Sequence, residues 1–499
     1  MPSQFNLISE PWIPVVYDDG STGAVGWRDL IAASGRIVDV PTDPVHLYGI
    51  VVRFATALTL RTQEAPLGDP SPVAWQEWGA MRLEAGVDVT ALDTYLDTWR
   101  DRFWLVDDTH PFLQDPAIAA ECTERPSTNK LFFDVASGNN HLWWTKIPDD
   151  EAPTIPFAAA AMALLGQWGY AAGGRCTARK GVANSKQAPE RQFSQFIPHG
   201  ATFFETLLMC CTPSFLDFKL AVSDAPAWER EPSGTPVPGQ LGRLTASTRG
   251  LLLFTGDNGI EAVVNTWAAG VVREDFWDAD VFKAKRVGKD KVIEPFRFLP
   301  SSVVWREVPS ILANKPDIDA QLYPLVLDAS HNPLGSTSVF GESGVTVLTH
   351  FPDKSKDLGW GRSELPGILA AGPMKDPAAF FRLSGLCKIA GEIITKVEDL
   401  VIQKKGSKAQ VIPDGEMFVR QLWLDAEDEF YAVLKGEPWE EAARRLMRHC
   451  GERFDEATEG VGAPRRLAVI IQHRRYLTQR LKKIAEDFGL DTKPSEVAS

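Results

Sequence analysis

The chain reads as α+β, with a large irregular mixed α/β N-terminal domain over residues 1–372 and a C-terminal four-helix bundle over residues 373–499. Three observations lead there. At 499 residues, 44% hydrophobic and 24% charged, the composition is that of a globular protein large enough for two or three cores. Up to about residue 370, short strand-like runs such as Thr346-Val347-Leu348 and Val292-Ile293 mix with Pro/Gly turns and a few helical stretches. After Pro373-Met374-Lys375-Asp376-Pro377 long amphipathic stretches take over, with Asp376-Pro377 placed as a helix start.

In chain order, Phe5-Asn6-Leu7-Ile8 through Trp12-Ile13-Pro14-Val15, followed by Tyr17-Asp18-Asp19-Gly20, predicts an N-terminal strand closed by a turn. Leu47, Ile50, Val51, Phe54 and Leu58 recur at helical spacing and predict a core helix over 44–62. A second core helix, dominated by Ala and Leu, is predicted over 155–169. Val281-Phe282-Lys283-Ala284-Lys285-Arg286-Val287, then Gly288-Lys289-Asp290 and Lys291-Val292-Ile293, alternates across a tight turn and predicts a β-hairpin. Thr349 to Asp357 reads as a loop between an apolar strand and Leu358. Helices follow near 377–403, 414–434, 437–458 and 464–488, with short connections at Gly406-Ser407, Lys435 to Pro438 and Gly460 to Pro464, which suggests an antiparallel bundle. The polar tail from Asp491, with Pro494, is expected to fray.

No apolar run approaches the roughly 18 residues of a membrane span, and the first residues lack the basic-then-apolar layout of a signal peptide. A cytoplasmic location and no membrane partner are expected. The six cysteines include no C-x-x-C and no Cys/His cluster at zinc spacing, so neither a metal nor another cofactor is expected. Adjacent Cys210-Cys211 follows an apolar run and is expected to be an inert, buried pair. His110 beside Pro111, His199 beside Pro198 and His331 beside Asn332-Pro333 are accompanied by no G-x-S-x-G or H-E-x-x-H. The run Gly173 to Gly181 misses the spacing of a phosphate loop. The chain is therefore not expected to be an enzyme.

A net charge of −14 argues at first against nucleic acid, but with a Debye length of about 8 Å at physiological salt a local basic strip can still hold phosphate. Five stretches are candidates. From Ala171 to Arg191, Arg175, Arg179, Lys180, Lys186 and Arg191 face one acid, Glu190, and Gly173-Gly174 removes the Cβ atoms that would block a partner. The alternative is an ordinary surface loop. Lys283 and Lys285 fall on one face of the predicted hairpin with Val287 and make a positive stripe, or simply protect an edge strand. Lys354-Ser355-Lys356 forms a polar tip in the third stretch. Ser137-Gly138-Asn139-Asn140-His141, bounded by Phe132-Phe133 and Trp143-Trp144, could stack unpaired bases or mark the edge of a core. On the last helix Leu467, Ile470, Ile471, Leu477, Leu481 and Ile484 share one face, while Arg465, Arg475, Arg480, Lys482 and Lys483 fill the opposite arc. That basic face is either simply solvated or a phosphate track. Arg474 lies within the apolar arc, so it requires an acidic partner in the bundle or a phosphate.

The Phe5 to Val15 signature, the later His110-Pro111-Phe112-Leu113-Gln114, the Ala-rich helix with its Gly loop, the basic hairpin and the C-terminal bundle occur in an order that resembles the CasA family, the large subunit of the type I-E CRISPR surveillance complex Cascade. The resemblance spans essentially the whole chain. It implies a non-catalytic subunit that recognises a protospacer-adjacent motif in double-stranded DNA through the minor groove and starts strand separation, leaving the guide RNA to read the target.

By that resemblance Gly173, Gly174 and Arg175 form the motif-reading glycine loop, although family members often have more glycines where this chain has Ser185 to Arg191. Lys283 or Lys285, beside Arg286, enters the groove. Lys354, Ser355 and Lys356 occupy the wedge loop, where the family's glutamine is replaced by Ser355 or the register is shifted. Ser137 to His141 touches the guide RNA and the neighbouring backbone subunit, and the bundle's basic face holds DNA. The implied partners are the other Cascade subunits with guide RNA, the small subunits, target DNA and the effector helicase-nuclease. Two other readings stay open: a phosphate-binding hydrolase using the Gly173 loop and a histidine, and a purely structural assembly factor.

Overall fold

The computed structural model describes residues 4–135, 137, 147–173, 177–180, 182, 187–214, 223–232, 239–256, 259–270, 279–287, 293–298, 303–312, 321–322, 324–353, 356–372, 375–401, 415–459 and 464–490. The chain divides into two compact units, one of residues 1–300 with 319–369 and one of residues 301–318 with 370–499. The second unit thus also takes in 301–318, which a division at 372/373 leaves with the first.

The first unit is built around the helix Leu47–Thr62. Its sequence is apolar on nearly every side, and only Arg61 reaches solvent, so it runs through a core rather than along one. The Ala/Leu-rich helix Phe157–Tyr170 is likewise mostly buried. Small antiparallel sheets surround them. Ile13–Tyr17 lies between Thr22–Val25 and Ile37–Asp39, with the turn at Asp18-Asp19-Gly20 where the sequence places it and Gly20 at φ +80°. Gly344–Asp353 lies between Gln195–His199 and Lys356–Leu365, and Arg249–Thr255 pairs with Ile260–Trp267. The ladder of Gly344–Asp353 with Lys356–Leu365 runs out to Asp353↔Lys356, so most of the loop expected over Thr349–Asp357 is strand.

In the second unit, helices Pro377–Val401, Gly415–Leu434, Trp439–Thr458 and Pro464–Asp487 lie within a few residues of their predicted bounds. Their inward faces carry Leu386, Ile393, Leu422, Phe430, Leu446, Phe454, Leu477 and Leu481. Arg474 finds the acid its position demands. Its Nε and Nη2 donate to Asp455 at 2.8 and 3.0 Å, and it fits because Gly451 has no Cβ, which would stand 2.9 Å from the guanidinium.

Leu467 and Ile471 depart from expectation, being 49% and 53% exposed. With Arg474 level with Asp455 on the antiparallel neighbour, Leu467 extends past the end of that helix at Thr458. Cys122, Cys210, Cys211, Cys387 and Cys450 are buried, as expected for packing thiols, and burial pushes all five thiols up. No helix among the described residues is long and apolar enough to cross a membrane, and no group of His, Cys, Asp and Glu among them could hold a metal.

Candidate nucleic-acid interface

The two sequence signatures, a hundred residues apart in the chain, meet in space. Gln4–Asn6 pairs with Trp104–Val106, in register Gln4↔Val106 and Asn6↔Trp104. Phe112 donates its N–H to Trp104 O at 2.8 Å, and the buried Gln114 side chain joins two sheet edges. Its Nε2 donates to Leu105 O at 2.7 Å while its Oε1 accepts from Leu253 N at 2.8 Å. One amide side chain thus satisfies a donor and an acceptor that burial would otherwise leave unpaired. These signatures are framework.

The glycine stretch is rooted in buried polar contacts. Arg179, one of the basic residues between Ala171 and Arg191, is 5% exposed; its Nη2 pairs with Asp115 and its Nε with Glu121, each at 2.5 Å, while Nη1 donates to Trp267 O at 3.1 Å. Arg191 is fully buried and donates to Tyr170 O at 3.1 Å. Neither belongs to a free cationic surface, because each is matched by acceptors brought from elsewhere in the fold. Gly173 is described; Gly174 and Arg175 lie outside the described residues.

Lys283 requires a correction. It is 3% exposed, and its Nζ stands 3.1 Å from Glu190 and 3.0 Å from Asp280, over the Phe193 ring at 4.4 Å. Arg53, the one cation on the buried face of its helix, completes the group. It holds Asp280 through Nη1 and Nη2 at 3.1 and 2.8 Å, donates to Arg243 O at 2.8 Å and stands 3.5 Å from Glu190. Burial alone would raise the Asp280 carboxyl, but Arg53 and Lys283 overcome it and hold the group well below the carboxylate range. Two cations and two anions therefore close a neutral, buried quartet.

The hairpin itself forms, with Lys285–Val287 against Ile293–Pro295, but Lys283 stands before its ladder. Gln321–Leu322 pairs on the other side, so Lys285–Val287 is a central strand and not a lysine-protected edge. Of the two groove candidates Lys285 is the one outside the quartet. The side chains of Lys285, Arg286, Lys356 and Arg465 lie outside the described residues, as do Lys354 and Ser355, which link Asp353 to Lys356.

The hairpin of Gly344–Asp353 and Lys356–Leu365 carries, at its His350–Trp360 pair, an aromatic junction that sequence reasoning missed. His46, 1% exposed, stacks on Trp360 with 14° between planes and meets Phe133 and Tyr170 edge-on at 5.1 and 4.7 Å. His350 lies 4.1 Å from Trp360. The Tyr170 hydroxyl donates to His46 O at 2.9 Å and accepts from Gln195 Nε2 at 2.6 Å. Burial, then His350 and Arg191 nearby, holds His46 well below the ordinary imidazole range, so the ring is neutral at pH 7 and acts as a flat plate. Phe133 is thus at a core edge, next to Ser137, whose Oγ bonds Asp149 Oδ2 at 3.2 Å. Gly138, Asn139, Asn140 and His141 lie outside the described residues. The junction joins chain leading to the docking stretch, the glycine stretch and the hairpin.

On Pro464–Asp487, Arg475, Arg480, Lys482 and Lys483 are exposed. Lys482 approaches Glu486 only to 3.9 Å, and Arg475, Arg480 and Lys483 have no acidic partner among the described residues. Among the histidines, His331 gathers Asp328 Oδ2 at 2.8 Å and Ser330 Oγ at 2.9 Å on the same ring nitrogen, Nδ1. A proton relay needs its base and its orienting acid on opposite nitrogens; this group is a hydrogen-bonded turn.

Arg53 could have been flagged from sequence, since one cation within an otherwise apolar helix demands a buried acid. No comparable signal marks His46, Glu190 or Asp280.

The chain belongs to the family of CRISPR-associated protein Cse1, whose profile matches residues 6–452. It is 27% identical over 404 residues to CRISPR-associated protein CasA/Cse1 of Thermus thermophilus, covering 78% of this chain and 76% of that one. Its fold is similar to Thermobifida fusca Cse1, with TM-score 0.80 at 16% identity over 98% of this chain and 99% of that one. Acidimicrobium ferrooxidans Cse1 gives TM-score 0.76 at 20% identity over 98% and 100%. A chain of a CRISPR RNA-guided surveillance complex gives TM-score 0.80 at 22% identity over 95% and 100%.

Proposed function

We propose that this chain is the non-catalytic large subunit of a type I-E CRISPR surveillance complex, working in the cytoplasm. It recognises the protospacer-adjacent motif in double-stranded DNA through the minor groove, starts strand separation for guide RNA pairing, and helps recruit the effector helicase-nuclease. In this reading Gly173, Gly174 and Arg175 approach the groove with Lys285 and Arg286, and Lys354, Ser355 and Lys356 part the first base pairs. Ser137 to His141 docks on the guide RNA and backbone subunits. The exposed cations of Pro464–Asp487 hold phosphates and lie on the unit that meets the small subunits.

The observation that carries the DNA part is that basic helix face. On a chain of net charge −14, four exposed cations stand together in a stretch without an acid from Pro464 to Lys483. Such a stripe supplies the sequence-independent phosphate contacts that position a groove reader. Family membership supports the assignment to the complex.

The test is equilibrium binding of a guide-loaded complex, with and without this chain, to duplexes that differ only in the three-base flanking motif. Motif-dependent affinity conferred by the chain is the expected result. Affinity indifferent to chain and motif would leave the assembly-factor reading, and turnover of a nucleotide or nucleic acid by the isolated chain would leave the hydrolase.

A further inference from the structure

A continuous side-chain relay joins the chain leading to the docking stretch with the chain leading to the glycine stretch. Arg249, 2% exposed, donates through Nη1 to the carbonyl of Ala172, the residue before Gly173, at 3.2 Å. Its Nε and Nη2 donate to Asn265 Oδ1 at 3.1 and 2.6 Å. Asn265 Nδ2 donates to Gln167 Oε1 at 2.8 Å, and Gln167 Nε2 donates to Leu131 O at 3.0 Å. Leu131 and Gln167 are themselves 1% and 5% exposed.

The direction of every bond follows from one residue. A guanidinium has donors only, so Arg249 obliges Asn265 to turn its oxygen toward it. The Asn265 amide nitrogen must then point at Gln167, which turns its own oxygen to meet it and is left with nitrogen to offer Leu131. No member can rotate its amide without opposing two donors or two acceptors in a buried site, where an unmade bond costs most. The fold brings the three side chains together from separate elements: the paired strands supply Arg249 and Asn265 at diagonal positions, with Asn265 opposite Leu251, and the last turn of Phe157–Tyr170 supplies Gln167.

We propose that Arg249, Asn265 and Gln167 are positioning residues that couple the RNA-docking side of this chain to its glycine stretch, so that the carbonyls of Leu131 and Ala172 are held in a single mutual arrangement. The inference rests on the proposed function and adds to it a route by which docking on the guide-loaded complex sets the DNA-reading backbone. The three act through the backbone they hold, without touching RNA or DNA themselves.

The test uses guide-loaded complexes reconstituted with wild-type chain, Asn265→Asp or Gln167→Met, each of nearly unchanged shape. Asn265→Asp keeps an acceptor for Arg249 but turns a second oxygen on Gln167. Gln167 must then roll over and face the Leu131 carbonyl with its own oxygen, so the Ala172 end stays bonded while the relay breaks. Three quantities are read: stoichiometry of chain in the complex, thermal unfolding of the chain, and the ratio of affinities for motif-bearing and motif-scrambled duplex.

The expected result is a ratio lowered about fivefold or more in both variants, the lower end of ordinary coupling between sites, with stoichiometry kept and each chain, though less stable, still folded at the assay temperature. A ratio within about twofold of wild type in either folded variant overturns the inference, since that is the scatter of independent sites. Loss of stoichiometry alongside the ratio also overturns it, because the relay would then serve assembly alone. A wild-type ratio of one defeats the functional reading itself, and this inference with it.

Discussion

Replacing Lys283 with Met separates a buried structural role from a groove-reading one. In the quartet the Lys283 and Arg53 cations face the Glu190 and Asp280 carboxylates at 2.8–3.5 Å, and all four side chains are at most 1% exposed. Lys283→Met leaves two carboxylates sharing Arg53, one uncompensated negative charge in a buried site. Removing one partner of such a pair costs about 3–5 kcal/mol, a large share of the roughly 5–15 kcal/mol that holds a domain folded. Adding Glu190→Gln restores neutrality and keeps the two-point Arg53–Asp280 contact. The double variant should therefore be more stable than Lys283→Met by at least about 1 kcal/mol, a non-additivity typical of contacting groups.

Because the chain has two units and need not unfold in one step, the assay is amide hydrogen exchange of Leu47–Thr62, the helix that carries Arg53. A cost below about 1 kcal/mol for Lys283→Met, or additive single and double variants, would refute the buried quartet and return Lys283 to the surface.

Three further outcomes are expected. Lys285→Met should leave that exchange unchanged yet weaken duplex binding by the reconstituted complex, and an unaffected duplex affinity would remove Lys285 from the interface. For His46, the folded-state value lies below the ordinary one, so the unfolded chain takes up the proton first. Its stabilising effect is complete above pH ~6.5 and is lost as pH falls from there toward the folded value. Stability therefore falls with acid below that point, and His46→Phe, keeping the plate beside His350 and Arg191, should flatten this part of the acid slope in hydrogen-exchange measurements; an unchanged slope would show that His46 does not set it. Changing Arg475, Arg480, Lys482 and Lys483 to Gln should flatten the dependence of log affinity on log salt by about 0.9 for each phosphate no longer neutralised; an unchanged slope would make the face merely solvated.

How much was legible in advance depended on how far each residue's partner lies along the chain. The four long helices follow from their own periodicity, and the turn at Asp18-Asp19-Gly20 from local backbone preference, so the amino-acid sequence sufficed for both. Arg474 shows the same logic for one side chain, because a cation in an apolar arc states its need for an acid before Asp455 is known.

The sequence by itself determined the α+β make-up, the helical C-terminal region, the acid-free basic face and the order of motifs that marks the family. Only the tertiary structure decided which cations are surface and which are core. Lys283 meets Glu190 across 93 residues and Arg53 meets Asp280 across 227, and Arg179 meets Asp115 across 64. A run of lysines and arginines looks the same in sequence whether water or a distant carboxylate solvates it. The choice is made by long-range packing, which brings the acid in and excludes the water.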